Sequence, residues 1–299
     1  MKIVQSLWSK PGQKKAKEGF AGQNKCGWPD KKYNYFSWAL SVLQFRKYYD
    51  EVELVTDEAG RDLLVGKLAL PYTSVRVELD RLNHYHPDLW AIGKIYAYSI
   101  QQEPFIHADG DVYVWERFDE DFMHSPLLCQ HREEGVSYER FYQRSFTEMM
   151  KNLPFIPEVL HRSVDKNKRI RALNAGILGG VNLEFYREYC ERVFNFVDKN
   201  VSRLGTINVG VANVIFEQFM FYAIAEEKQT PIRYLKDDPD FMWHTCTDFT
   251  GVPAQSTYIH TPGSLKKDRT IGGMLEQRLL LDHPDHYYRI LHLLRTNQI

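Results

Sequence analysis

The chain has 299 residues, enough for one large domain or two small ones. Its 38 basic and 39 acidic residues nearly cancel to a net charge of −1, which removes any electrostatic case for a nucleic-acid partner. A hydrophobic fraction of 43% supplies a substantial core, and the 14% aromatic share also suits a flat, stacking-type binding surface, although most such rings serve a core.

The four cysteines, Cys26, Cys129, Cys190 and Cys246, lie far apart without C-x-x-C spacing. They read as reduced structural thiols rather than a disulfide scaffold or a zinc site. The opening MKIVQSLWSKPG is too short an apolar run for a signal peptide, and no stretch has the composition of a membrane span. A soluble, cytoplasmic protein is the expectation, with peripheral association at the inner face of a membrane left open.

In chain order, Lys2–Leu7 reads as a strand ended by Trp8-Ser9-Lys10-Pro11-Gly12, and the Gly- and Lys-rich segment up to Pro29 as a loop. Asn34–Tyr49 has helical spacing at Trp38, Val42, Phe45 and Tyr49, and Glu51–Thr56 is a short strand. Asp57 is placed to cap a helix running to Leu68, Ser74–Leu79 is strand-like, and Asp88–Ile100 is helical. Strand alternating with helix about four times in this stretch implies an α/β layer with a largely parallel sheet. Ligands of such sheets sit beyond the carboxyl ends of strands, where Trp8–Lys10, Asp57 and Asp109–Asp111 all fall. The second half is less regular. It offers a strand and turn at Arg171–Gly180, a long helix at Val211–Glu227, a short strand at Pro231–Leu235, a loop after a strand-like start at Tyr258–Lys267, and a closing helix at His286–Arg295. With no repeat or clear linker, residues 1–299 read as one domain, its nucleotide-binding half 1–115 and its acceptor and sugar half 116–299.

The stretch PFIHADGDVYVW, residues 104–115, concentrates the chemistry. Two apolar runs flank Asp109 and Asp111, which as i and i+2 of an extended segment point the same way, and Gly110 lets the backbone bend. Such a pair is half a site for a hard divalent cation that keeps positions open for phosphate oxygens. Surface D-x-D triplets are common, and the apolar flanks are what set this one apart. Downstream, His260-Thr-Pro-Gly263-Ser-Leu-Lys266 offers an imidazole for a metal, a glycine permitting close backbone approach to phosphate, and a lysine to neutralise it.

D-x-D followed far downstream by H-x-x-G-x-x-K resembles the GT-A-type glycosyltransferases, above all glycosyltransferase family 8, the glycogenin-like enzymes. Leu173-Asn174-Ala175-Gly176 resembles that family's N-S/A-G segment lining the donor-sugar pocket. Glu217-Gln218 resembles its D-Q pair near the sugar, and Lys94 stands about where a basic donor-binding residue stands. These motifs span residues 94–266 in the family's order. The resemblance implies a GT-A-like, Rossmann-type, mostly parallel central sheet flanked by helices. It implies Mn²⁺ (or Mg²⁺) held by Asp109, Asp111 and His260, with Lys266 on the phosphates of a nucleotide-diphosphate sugar. Trp8, Lys10 and Asp57 become nucleotide-facing, Lys94, Asn174, Gly176 and Gly263 donor-binding, and Asp109, Asp111, Glu217 and Gln218 the catalytic group. Retention of anomeric configuration follows the family, and the acceptor is open among a glycan, a lipid-linked or a peptide substrate. Lys267-Asp268 stands where the family has Pro-Trp, and Glu217 where it has aspartate, which places the chain beside the family as a bacterial branch.

Plainer readings stand next to these. Asn174-Ala175-Gly176 also fits a tight strand-to-turn transition, Glu217-Gln218 the solvated face of a helix, and Lys94 a side chain snorkelling over apolar surface. A haloacid-dehalogenase-type phosphohydrolase shares the D-x-D-x-T/V signature and would use Lys236-Asp237-Asp238, but it leaves His260 and Lys266 without a role. A domain that binds sugar nucleotide without turning it over is the non-enzymatic rival.

Overall fold

The computed structural model describes residues 1–12, 25–237 and 247–299. Most of the Gly- and Lys-rich segment, Cys246 and Asp238 lie outside the described residues. Cys26, Cys129 and Cys190 are free thiols.

The described strands are β1 (Lys2–Leu7), β2 (Val52–Thr56), β3 (Ser74–Val77), β4 (Phe105–Ala108), β5 (Val112–Val114) and β6 (Leu127–Cys129) in the first half. They continue with β7 (Arg132–Glu133), β8 (Ala172–Leu173), β9 (Ile177–Gly180), β10 (Ile232–Tyr234) and β11 (Tyr258–His260). Seven form a mostly parallel central sheet in the order β10-β6-β9-β4-β1-β2-β3, with β5–β11 and β7–β8 as separate two-stranded ribbons. The pairs β1–β2, β2–β3 and β10–β6 are parallel, and β6–β9 is antiparallel. Strands β2 and β4 are buried at every residue, as central strands covered by helices on both faces must be.

Chain contacts divide the molecule into two compact units. The first comprises Met1–Arg81, His107–Phe118 and Asp238–Ile299. Its helix Lys31–Tyr48 is capped by Asp30 and buried from Asn34 to Phe45 without a break, so it is a core helix rather than a one-faced surface helix. Helices Arg269–Asp282 and Pro284–Arg295 pack on it. The loops predicted to carry ligand chemistry do follow the carboxyl ends of β1, β2 and β4. Asp57 caps the turn Glu58–Arg61 as its position predicts, and a π-helical segment, Asp62–Lys67, completes that element.

The second unit comprises Leu82–Ile106 and Asp119–Asp237. The helix predicted from Asp88 starts only at Ile92 and ends at Ser99. Helices Val136–Asn152, Glu158–Asn167 and Leu183–Asn200 fill much of the stretch that the sequence leaves irregular. Helix Val209–Glu227 is the one helix among the described residues long and apolar enough to cross a membrane. With 67% of its apolar window buried inside the protein, it serves as a core helix.

Candidate metal centre and a buried polar cluster

In the first unit, strand register brings the two halves of the metal motif together. The antiparallel ribbon aligns Val112 of β5 with His260 of β11, so the imidazole arrives beside Asp111. The amide of Thr261 locks this approach by donating to the Asp111 carbonyl at 3.1 Å. One ligand atom from each of Asp109, Asp111 and His260 lies within 4.8 Å of the others. His260 Nε2 is 3.6 Å from Asp111 Oδ1, and the Lys266 ammonium is 2.6 Å from Asp111 Oδ2. Asp111 and His260 are buried, whereas Asp109 is partly open to solvent. Burial alone would raise the Asp111 pKa, but Lys266 and His260 outweigh it and hold the carboxyl well below the usual carboxylate range. Two carboxylates and an imidazole form an oxygen- and nitrogen-donor set suited to a divalent cation such as Mn²⁺ or Mg²⁺. The ammonium on Asp111 marks the spot as one that demands positive charge.

The turn carrying the aspartates is held from behind by residues that sequence reasoning misses. Helix Lys31–Tyr48 presents Ser37, Trp38 and Ser41 to it. Ser37 Oγ donates to the Gly110 carbonyl at 2.7 Å and Ser41 Oγ to the Val112 carbonyl at 2.6 Å, while Gln5 donates to Ser41 at 2.8 Å. Gly110 is required for a reason other than bending. A Cβ there would sit 2.6 Å from the Trp38 ring, so the glycine lets the turn lie flat against the indole. His107, two residues before Asp109, is a further missed neighbour, with Nδ1 3.9 Å from Asp109 Oδ1 and Nε2 hydrogen-bonded to Ser6 at 2.9 Å. Serines at i and i+4 inside a mostly apolar helix were the available signal.

The remaining predicted residues of this unit divide into two groups. Gly263 has φ +52°, a left-handed conformation natural to glycine, and opens the short turn Gly263–Lys267 that carries Lys266. Trp8 is buried with the Lys10 ammonium 5.9 Å from its ring centroid. Asp57 is engaged inside the protein. One oxygen accepts from Ser9 N and Ser9 Oγ, each at 2.7 Å, and the other from Gly60 N at 2.8 Å, so it ties the ends of β1 and β2 together.

In the second unit the structure gathers Lys94, Asn174, Gly176, Glu217 and Gln218 from across more than a hundred residues. Lys94 pairs with Glu217 at 2.5 Å and donates to the Ala175 carbonyl at 3.2 Å. Glu217 is fully buried and Lys94 nearly so, which rules out the solvated-face reading for Glu217 and the snorkelling reading for Lys94, while Gln218 is half-buried. Asn174 accepts from the Gly176 amide at 3.0 Å and donates to Glu133 at 2.9 Å. Glu133 also accepts from the Tyr142 hydroxyl, which in turn contacts Gln218. Burial first, and then the Glu133 carboxylate, push the Tyr142 pKa far up, so this phenol keeps its proton as a fixed donor. Glu133 and Tyr142 are the members that no motif announces.

The sequence model of a family described as a family of unknown function (DUF6734) matches residues 1–293. The chain belongs to that family. No curated protein matches its sequence. Among solved structures it is similar to the galactosyltransferase LgtC in complex with donor and acceptor sugar analogues, at 14% identity over 72% of this chain and 70% of that one, with a TM-score of 0.38. The bifunctional glycosyltransferase WbbM gives 12% identity over 98% of this chain and a TM-score of 0.47, and this chain spans 51% of its length. Mouse xyloside xylosyltransferase 1 gives 15% identity over 87% of this chain and 96% of that one, with a TM-score of 0.42.

Proposed function

We propose that this chain is a metal-dependent glycosyltransferase of the GT-A type, moving a sugar from a nucleotide-diphosphate donor to an acceptor hydroxyl. The observation carrying this reading is the meeting, in one unit, of D-x-D and H-x-x-G-x-x-K. Asp109, Asp111 and His260 converge within 4.8 Å, and Lys266 lands on Asp111. The phosphohydrolase rival gives His260 and Lys266 nothing to do, and here both face the second aspartate.

Asp109, Asp111 and His260 are the residues that would hold the cation. A divalent cation there supplies Lewis-acid and electrostatic stabilisation of the departing diphosphate. Lys266 adds positive charge for the phosphate oxygens, at the end of a short turn whose glycine permits close approach. Ser37 and Ser41 fix the backbone of the aspartate turn, so the two carboxylates need little reorganisation when charge develops on the leaving group. In the second unit we propose Lys94, Asn174, Glu217 and Gln218 as a polar cluster for sugar hydroxyls. Glu217 is paired with Lys94 at 2.5 Å, and the Tyr142 hydroxyl stands between Gln218 and Glu133. Retention of configuration, following family 8, is part of the proposal, as is a cytoplasmic setting.

The test is a thermal-shift screen of the purified protein against UDP-, GDP-, dTDP- and CMP-sugars, with and without Mn²⁺. The expected result is metal-dependent stabilisation by one nucleotide class, lost in Asp111→Ala and in His260→Ala. Slow donor hydrolysis alongside it separates a transferase from a binding domain. A shift that survives Asp111→Ala, or none with any donor, overturns the reading. Phosphate release from simple phosphoesters without nucleotide turns it to the phosphohydrolase.

A further inference from the structure

The outer face of helix Val136–Asn152 carries a feature that neither the metal centre nor the buried cluster uses. Tyr142, Ser145, Phe146 and Met149 are its buried residues. At about 100° per residue, Arg140, Arg144 and Lys151 fall within roughly 40° of one another on the opposite side, along about 16 Å of helix. They form one wall of a groove of about 700 Å³, and Lys168 and Arg169 stand on the other. Arg169 pairs with Glu139 at 3.1 Å. Among the described residues Arg140, Arg144, Lys151 and Lys168 have no ion-pair partner, although all four line the same groove. Lys168 is held in place by the end of helix Glu158–Asn167, where it adopts a left-handed cap conformation at φ +57°. With Glu139 and Glu148 also in the lining, five cations face two carboxylates, so the groove concentrates positive potential on a chain of net charge −1.

We infer that this groove docks a segment of an acidic glycan, a chain of sugars bearing carboxylates. Gln143, Thr147 and Asn152 lie between the cations and offer hydrogen bonds to hydroxyl groups. No aromatic ring lines the groove, so single-stranded nucleic acid finds no stacking platform, and Glu139 and Glu148 oppose a dense polyphosphate. The exposed apolar residues Phe141 and Met150 are not among the lining residues, and a concave site does not match a flat bilayer. A spaced row of carboxylates separated by hydroxyls is the occupant that satisfies both the charges and the polar groups between them.

The experiment is titration calorimetry of the full chain with a defined oligouronate, a neutral maltooligosaccharide of equal length, a single-stranded oligothymidylate, and phosphatidylcholine vesicles doped with phosphatidylglycerol. The expected result is oligouronate binding that weakens as salt rises, with no binding of the neutral sugar. The variant Arg140→Gln/Arg144→Gln/Lys151→Gln loses roughly tenfold or more in affinity with an unchanged melting curve, and Arg140→Lys/Arg144→Lys retains binding. No oligouronate binding by the unmodified chain overturns the inference. So does equal binding of the neutral sugar, or affinity unchanged in the glutamine variant. Tighter binding of the oligothymidylate or the vesicles, lost in that variant, hands the groove to those partners and overturns it as well. The assay needs neither nucleotide nor turnover, so its failure and the failure of the transferase reading are separate events.

Discussion

Replacing Lys266 by methionine keeps most of the side-chain volume and removes the ammonium that pairs with Asp111. The two groups meet at 2.6 Å, with side-chain exposures of 16% and 9%. At that separation the Coulomb attraction is about 6 kcal/mol for an effective dielectric near 20. Much of that is spent on desolvation, and removing one partner of a buried pair costs about 3–5 kcal/mol because a charge is left behind. The remaining exposure and the nearby His260 lower the expectation to about 2–3 kcal/mol. Urea denaturation near neutral pH, in EDTA and then in Mn²⁺, reads it directly. Lys266→Met should lose about 2–3 kcal/mol in EDTA and regain more than the wild type does from Mn²⁺, since a bound cation stabilises by mass action and replaces the missing charge. The pH course has a definite sign. Lys266 and His260 hold the folded Asp111 pKa below its unfolded value, so the stabilisation is complete above the ordinary carboxylate range and disappears as pH falls through the folded value. Equal stability of variant and wild type in EDTA, or equal gains from Mn²⁺, would refute the reasoning.

Further expectations follow from the same packing. Gly110→Ala drives a Cβ into the Trp38 ring, costing about 1–3 kcal/mol and weakening Mn²⁺ binding measured by electron paramagnetic resonance; unchanged affinity and stability together would show that the turn does not lean on the indole. Glu217→Gln strands the buried Lys94 ammonium and should cost about 3–5 kcal/mol in urea, with much of the loss recovered in Glu217→Gln/Lys94→Met. His283, whose buried Nε2 has no hydrogen-bond partner among the described residues, has its pKa lowered to about 4 by burial and then by Lys47. Its neutral form is the one that fits, so melting temperature should fall as pH drops from 6.5 toward 4, and His283→Gln should flatten that slope; an identical slope in the variant removes His283 as the cause.

The strands and the aspartate turn were legible because their signals are local. Lys2–Leu7 is a strand with the predicted ends, and apolar runs on both sides of D-x-D announce β4 and β5. Helix Leu183–Asn200 had a readable signal too, in its Asn182 cap and the helical spacing of Phe185, Tyr189, Val193 and Phe196, yet the sequence reading leaves it as irregular chain. What no local pattern encodes is the support around the site. Ser37 and Ser41 meet the aspartate turn from about seventy residues away, and Tyr142 meets Gln218 from 76. Such pairings are settled by strand register and helix packing. Gly110 illustrates the difference: its identity was readable, but the indole that demands it belongs to another element.

The π-helical segment Ile215–Phe219 inside helix Val209–Glu227 carries a historical implication. A π turn holds one residue more than an α turn, so it behaves like a single-residue insertion absorbed without breaking the helix. The Tyr189 hydroxyl reaches the carbonyls of Phe216 and Glu217 within this turn, at 3.2 and 3.0 Å. Removing one residue from this turn would return the helix to even winding while the segments on either side keep their positions. Glu217 and Gln218 would then leave their partners while the rest of the core stayed in register. A lineage could thus gain or lose this polar cluster through one codon, without passing through an unfolded ancestor.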